Sequence, residues 1–391
     1  MSSSPTHPPG TKSRRPKWWL EPAIVLGVAI ALAVIMPLIL PVFRLRLLGR
    51  FVALAIAPAL GIDLIWGYTG LLSLGHGIFF ALGGYAFAMH LNLQLPEGQI
   101  PNFFSLYGVE ELPWIWQPFY SLPVTLISIV LIPGLVAGLL GYLVFRNRIK
   151  GVYFSILTQA ALLVFFNFFN GQQDLINGTN GLSTNRYEIF GVAAGAPQAQ
   201  LAFFQTSLVM VGLVYLLCRW LTDGRFGRML VAIRDDEIRA RFAGYDPTGF
   251  KILVFAVSGA IAGISGALFT VQTGLITPSF MEVAFSIEMV IWVAVGGRAS
   301  LIGAIIGTIL VRTAQTFLSE WSPEAWLFFQ GGLFLIVVTV LPNGLYGWFR
   351  DSAIPQVRSR LGLQPRLVSY PDIDLNPEVQ QEQDELERLD R

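Results

Sequence analysis

Charge is scarce in this chain. Only 13% of its 391 residues are Asp, Glu, Lys or Arg, whereas 54% are hydrophobic. A soluble domain carries about 25% charged residues, so the chain lacks the polar cover that a water-exposed globule needs. The few charges gather at the two ends and in short stretches between long apolar runs, the pattern expected where lipid replaces water. Cysteine is limited to Cys218. That excludes an intrachain disulfide, and its place inside an apolar run reads as packing rather than as a reactive thiol. The formal charge of +1 provides no basic face for nucleic acid. Lysine is confined to Lys12, Lys17, Lys150 and Lys251, and no Gly-x-x-x-x-Gly-Lys-[Ser/Thr] loop occurs, so any ATP that drives this protein must bind another chain. His-Glu-x-x-His, Cys/His clusters and Gly-x-Ser-x-Gly are equally missing. The chain therefore carries no metal site, cofactor motif or catalytic cluster of those kinds.

What is present is a series of apolar segments, drawn at 22–43, 51–67, 76–94, 121–145, 151–169, 201–220, 249–270, 284–297, 301–318 and 325–348. They are continuously apolar rather than alternating, which favours helices over barrel strands. The expectation is an all-α, polytopic transmembrane bundle of about ten spans (about eight to eleven) with broken or re-entrant segments. The first run is too long for a signal-peptide core of about 7–15 residues and reads as a retained span.

Basic residues in short loops set orientation. The N-terminal cluster, Arg146–Lys150 and the stretch Arg219–Lys251 are expected in the cytoplasm. The loops 95–120, 170–200 and 319–324 are expected outside, and ten spans then leave both termini inside. Arg44, Arg46 and Arg50 conflict with this scheme, because they fall outside between the first two segments. Residues 1–20 form a cytoplasmic N-terminal extension, 21–349 the membrane domain, and 350–391 a Pro-punctuated flexible tail ending in the acidic run Glu382–Asp390.

Small residues recur four apart at Gly134/Gly138, Gly259/Gly263, Ala262/Gly266 and Gly303/Gly307, as close helix packing in lipid requires. Three polar stretches interrupt the apolar background. Gly67–Gly77 holds Tyr68, Thr69, Gly70, Ser73, Gly75 and His76; it reads either as irregular backbone lining a solute path or as a tight helix corner. Asn177–Ser183, with Asn180 and Gly181, is a turn-rich outer loop or a polar lip for an entering solute. Gly224–Tyr245 is dense in charge and includes Arg234, Asp235, Asp236, Glu237 and Arg241. It reads as one amphipathic helix with an apolar side of Leu230, Ile233, Ile238 and Phe242, closed by Gly244. Asp63, Glu282, Glu288 and Arg312 lie in or beside apolar segments, where charge indicates function or internal pairing.

Together the Gly67–Gly77 run, the Asn180-Gly181-Leu182 loop, the Ala232–Gly244 helix and Ser258–Leu268 resemble the inner-membrane permeases of ABC importers for branched-chain amino acids and urea, over residues 50–348. Ser286–Arg298 and Trp326–Gly331 are more similar to the urea permeases (UrtC type) than to the amino-acid ones. The resemblance implies a non-enzymatic transport subunit in the inner membrane. It would work with a related second permease, two ATP-binding subunits and an external substrate-binding protein. Tyr68, Thr69, Gly70, Ser73, Gly75, His76, Asn180, Gly181 and Glu288 would then serve the translocation pathway. Arg234, Asp235, Asp236, Glu237, Arg241 and Gly244 would serve coupling to the ATPase, within a region 221–247. Urea is the expected solute, with branched-chain amino acids the alternative. An ion-coupled secondary transporter using Asp63, Glu282 and Glu288 is a further one.

Overall fold

Backbone in lipid has no water to bond, so its N–H and C=O groups must be answered within the protein. The computed structural model describes residues 20–96, 99–185, 187–189, 191–341 and 344–349, and most of these are helical. The expected N-terminal extension and acidic tail lie outside the described residues. Helix α1 is Leu20–Ile39. Helix α2, Val42–Leu54, runs through a π-helical segment, Ala55–Ile62, into α3, Asp63–Thr69. After α4, His76–Asn92, comes a loop with the short α5, Asn102–Leu106. Helices α6, Leu122–Arg146, and α7, Val152–Gly171, are followed by the single turn α8, Gln173–Ile176. Strand β1 is Leu182–Ser183, and β2, Glu188–Ile189, forms a hairpin with β3, Val192–Ala193. Then come α9, Pro197–Asp223; α10, Arg225–Asp235; α11, Glu237–Phe242; and α12, Pro247–Thr273. Strand β4, Leu275–Ile276, pairs antiparallel with β1, Leu182 opposite Ile276. The remaining helices are α13, Val283–Gly296; α14, Leu301–Trp321; α15, Pro323–Val340; and α16, Gly344–Trp348.

Among the described residues six helices are long and apolar enough to cross a membrane: α1, α6, α7, α9, α12 and α14. The count of ten is not what helix length returns. The reason is that several apolar segments are divided or short. The second is split among α2, the π segment and α3, and the eighth folds as the 14-residue α13. At 1.5 Å per residue, α13 is about 21 Å long, short of a hydrocarbon core of about 30 Å.

Helix α12 is the centre of the bundle. In its most apolar window 61% of the residues are buried, against 17% for α1. One side of α12 meets α6: a Cβ on Gly259 would stand 2.9 Å from the Pro133 carbonyl, and one on Gly263 would overlap the Ile129 carbonyl. The other side meets α4, where a Cβ on Gly266 would overlap the Phe80 carbonyl and one on Gly83 the Gly263 carbonyl. Helices α13 and α14 cross the same way, Gly296 against Gly303 and Gly307 against the Trp292 carbonyl. Gly134 and Gly138 differ. A Cβ there meets Ala260 and Ala256 at ordinary distances of 3.4 and 3.5 Å, so close approach does not require glycine at those two positions.

Helix α12 also answers the irregular backbone beside it. The Ser258 hydroxyl donates to the Gly61 carbonyl at 2.6 Å within the π segment, and the Ser265 hydroxyl donates to the Ala53 carbonyl at 2.6 Å. For Arg46 the conflict over the first basic loop has a local explanation. Arg46 on α2 donates to the Gln272 and Thr273 carbonyls at 2.6 and 3.1 Å and to the Asn185 amide oxygen at 3.0 Å. A cation that satisfies the last carbonyls of a helix is a structural cap, not a free loop charge.

A leucine at position 266 should therefore drive α4 from α12. Gly266→Leu is expected to cost about 3 kcal/mol or more, as overpacking does, seen as a lowered Tm or an aggregated fraction in detergent. Gly138→Ala is expected to stay within about 0.5 kcal/mol of the parent in the same thermal scan.

Candidate functional site

The Gly67–Gly77 run folds as a helix end, an extended passage and a helix start. Helix α3 stops at Gly70, whose left-handed φ of 72° suits glycine, with its N–H bonded to the Trp66 carbonyl. The passage to α4 threads between α7, α12 and α13. The Leu72 carbonyl accepts from the Ser155 hydroxyl at 2.6 Å, and the Leu74 N–H donates to Thr158 Oγ1 at 3.1 Å. The Gly75 N–H points at Ser73 Oγ, and the Gly77 N–H donates to Ser286 Oγ at 3.1 Å. A Cβ on Gly75 would lie 2.6 Å from the Thr158 carbonyl. Thr69 donates to the Ile65 carbonyl, and Tyr68 bonds Thr222.

His76 is fully buried, its Nε2 2.7 Å from Ser258 Oγ. That hydroxyl spends its hydrogen on the Gly61 carbonyl, so Nε2 must carry the proton and Nδ1 is left bare and without a partner among the described residues. Five of the expected pathway residues (Tyr68, Thr69, Ser73, Gly75 and His76) thus sit in one buried broken segment. The bonds above come from the protein itself, and Gly70 is exposed.

The other expected pathway residues lie elsewhere. Asn180 is exposed at the end of a 3-10 turn, and Gly181 has a φ of 69°, where a Cβ would overlap the Ile276 carbonyl. This ribbon adjoins the end of α12, about 22 Å along the helix from Ser258. Glu288 is on α13, its Oε2 3.7 Å from Arg312 Nη1 on α14. Gln315 and Gln330 also bond that carboxyl. Sequence reading did not connect Arg50, Gln330 and Trp292 with this pair, although Gln330 and Trp292 are polar-capable side chains inside apolar segments and Arg50 borders one.

Asp63 and Glu282 join neither group. Asp63 is fully buried and accepts the Ala299 N–H at 2.7 Å, holding a turn in which Ala299 has a φ of 57°. Glu282 is exposed just ahead of α13.

The charge-dense stretch is two helices, not one. Asp236 adopts extended backbone and its carboxylate accepts the Arg239 N–H at 3.0 Å, capping α11. The break turns the second half away from the first. Leu230 and Ile233 pack inward, whereas Ile238 and Phe242, expected on the same apolar side, are 59% and 88% exposed. Arg234 Nη1 donates to the Gly67 carbonyl at 2.8 Å, and its Nε pairs with Asp235. Glu237 is clasped by Arg241 at 2.9 Å and by Lys251 of α12 at 2.7 Å. Burial pushes the Glu237 carboxyl up, but the two cations outweigh it and hold it below the ordinary glutamate value. Gly244, with a φ of 85°, closes α11. A cleft of about 320 Å³ opens here, lined in part by Met229, Asp235, Asp236 and Arg239.

A family model described as the permease component of branched-chain amino acid transport systems matches residues 43–338. The "High-affinity branched-chain amino acid transport system permease protein LivM" of Salmonella typhimurium is 26% identical, covering 78% of this chain and 69% of the relative. The "Probable branched-chain amino acid transport permease protein LivM" of Methanocaldococcus jannaschii is 24% identical over 73% of this chain and 88% of its own. The "Autoinducer 2 import system permease protein LsrC" of Escherichia coli O9:H4 is 26% identical over 68% of this chain and 76% of its own. No solved structure matches. A matched span that takes in α2 through most of α15, with six long apolar helices inside or beside it, makes this a multi-pass membrane protein belonging to the permease-component family of branched-chain amino acid transport systems.

Proposed function

We propose that the chain is the pore-forming subunit of an ATP-driven importer whose ATP is bound by other chains, and that α10 and α11 form the surface on which an ATP-binding subunit docks. The observation that carries this reading is the bond from Arg234 to the Gly67 carbonyl. It ties the charged, exposed element directly to the end of α3, where the broken segment begins, so a push on α10 is felt at Gly67–Gly77. Exposed Ile238 and Phe242, with Asp235, Asp236, Arg239 and Arg241 near them in sequence, offer a docking subunit apolar and charged contacts together.

In this reading α10 and α11 face the cytoplasm and the β1–β4 ribbon faces outward. Helices α1, α2 with α3, α4, α6, α7, α9, α12, α13, α14 and α15 make ten passes, with both ends of the chain inside. Tyr68, Thr69, Gly70, Ser73, Gly75 and His76 form the moving part of the pathway, Asn180 and Gly181 its outer lip, and Glu288 a polar point within it. The partners are a related second permease, two ATP-binding subunits and an external substrate-binding protein.

Branched-chain amino acids are the better-supported solute class. The two LivM relatives, matched over 78% and 73% of this chain, carry amino-acid names, and none of the findings favours the urea reading drawn from Ser286–Arg298 and Trp326–Gly331. Chemistry agrees: urea is neutral and needs no fixed charge, whereas a zwitterion asks for both signs, which Glu288 and Arg312 provide. The ion-coupled alternative loses one of its three carboxylates as a free group, since Asp63 is committed to the Ala299 turn.

Uptake of labelled leucine and labelled urea into cells with and without this gene tests the reading, with ATP depleted or ion gradients collapsed. ATP-dependent leucine uptake is expected to disappear with the gene. Loss of urea uptake instead keeps the mechanism and moves the solute, and uptake that follows the ion gradient discards the importer. Arg234→Glu combined with Asp236→Arg is expected to uncouple ATP hydrolysis from uptake at unchanged membrane levels, and wild-type uptake in that variant would sink the docking assignment. The Glu237 clasp stabilises the fold above the carboxyl's unfolded-state pKa and is lost as pH falls through the lower folded one. Glu237→Gln should accordingly flatten the acid side of a Tm-against-pH profile.

A further inference from the structure

Arg312 stands out among the charged groups that the bundle partly buries. It is the twelfth residue of the 21-residue α14, about 16 Å from its first residue along a helix about 31 Å long, close to the middle of the bilayer. A guanidinium at that depth faces the bundle interior or a wet path. Its carbon lies 5.4 Å from the Trp292 ring and 5.9 Å from the Phe51 ring. Arg50 of α2 is near enough to act on it through charge. Glu288 is the carboxylate paired with it, at 3.7 Å, a distance longer than a hydrogen bond.

Gln315 Oε1 accepts from Arg312 Nη1, yet among the described residues the cluster is still short of acceptors. Arg50 Nε, Arg312 Nε, Trp292 Nε1 and Trp326 Nε1 are buried N–H donors without a partner among the described residues. Trp292 is completely buried and Trp326 is 4% exposed. Trp292 stands one helical turn from Glu288, and Trp326 one turn from Gln330, which bonds Glu288, so the indoles share a face with the charged groups. Buried donors in native structures are normally answered, and among the described residues two arginines face one glutamate here. Arg312 and Glu288 are nevertheless open: their side chains are 22% and 19% exposed.

We propose that Arg312 and the Trp292 and Trp326 indoles bind the carboxylate of an α-amino acid while Glu288 takes its ammonium group, forming a solute site midway across the membrane. The proposal rests on the importer reading above and deepens it. A carboxylate brings acceptors for the four donors and a negative charge beside the two arginines. The loose Glu288–Arg312 pair opens to admit a zwitterion, one charge to each partner. Urea would satisfy some of the donors but has no use for the ion pair.

The test combines binding and transport. The purified full-length chain in nanodiscs is titrated with labelled leucine, with leucinamide and isocaproate (which lack the carboxylate and the ammonium group) and with urea. Leucine is expected to bind best and each truncated analogue about tenfold more weakly. Trp292→Phe keeps the ring and removes one donor; it should raise the KM for leucine uptake in cells about tenfold at unchanged expression. Arg312→Gln and Glu288→Gln should abolish leucine binding. Equal binding of leucine and leucinamide would overturn the site, as would wild-type KM in Trp292→Phe. A complex that loses its partner subunits in Trp292→Phe would mean that a partner's carboxylate fills the cluster, and would also overturn it. If ATP-dependent leucine uptake persists in the wild type while these variants transport normally, the site fails and the importer stands. If the wild type moves no solute with ATP, the importer reading itself fails.

Discussion

Irregular backbone inside a membrane exists only where the protein answers it, and in this molecule the answers come largely from α12. Its serines reach the carbonyls of Ala53 and Gly61. Its glycines let α4 and α6 come close enough for backbone to touch backbone. Ser155 and Thr158 of α7 and Ser286 of α13 complete the set around the passage that follows Gly70. Without these hydroxyls the π segment and the passage would leave bare N–H and C=O groups in an apolar medium, each costing several kcal/mol by the order-of-magnitude rule for lipid.

That constraint gives the two polar regions different characters. Around His76 one chain of hydrogen bonds is complete, with Ser258 relaying between imidazole Nε2 and the Gly61 carbonyl, which makes a defined joint. Around Arg312 they stay open, with donors in excess among the described residues and the ion pair longer than a hydrogen bond. On the proposed reading, a joint that transmits motion gains from the first condition, and a site that receives a solute gains from the second. The Arg234 contact with Gly67 links the exposed element to the joint rather than to the open cluster.

The apolar background, the helical class, the glycine stripe of α12 and the buried Cys218 were all legible in the sequence, because each follows from composition or a repeat within one helix. The division of the Arg225–Phe242 stretch was not. One amphipathic helix and two helices broken at Asp236 have the same charge pattern, and only the cap on Arg239 separates them. Gly134 and Gly138 look like Gly259 and Gly263 on paper, yet only the second pair meets a carbonyl that glycine alone can approach. Asp63, suspected of carrying charge for transport, holds a turn 236 residues away in sequence.

By itself the sequence determined that this chain lives in lipid, that it is built of helices and that it holds no phosphate loop of its own, since scarcity of charge and missing motifs need no neighbours to be read. Only the tertiary structure decided which polar residues are spent and which remain free. Ser258, Asp63 and Arg46 are consumed by distant backbone, whereas the Arg312 cluster has more donors than acceptors among the described residues. A hydrogen bond is a property of two partners. In a bundle those partners come from helices tens to hundreds of residues apart, brought together by packing that no single segment encodes.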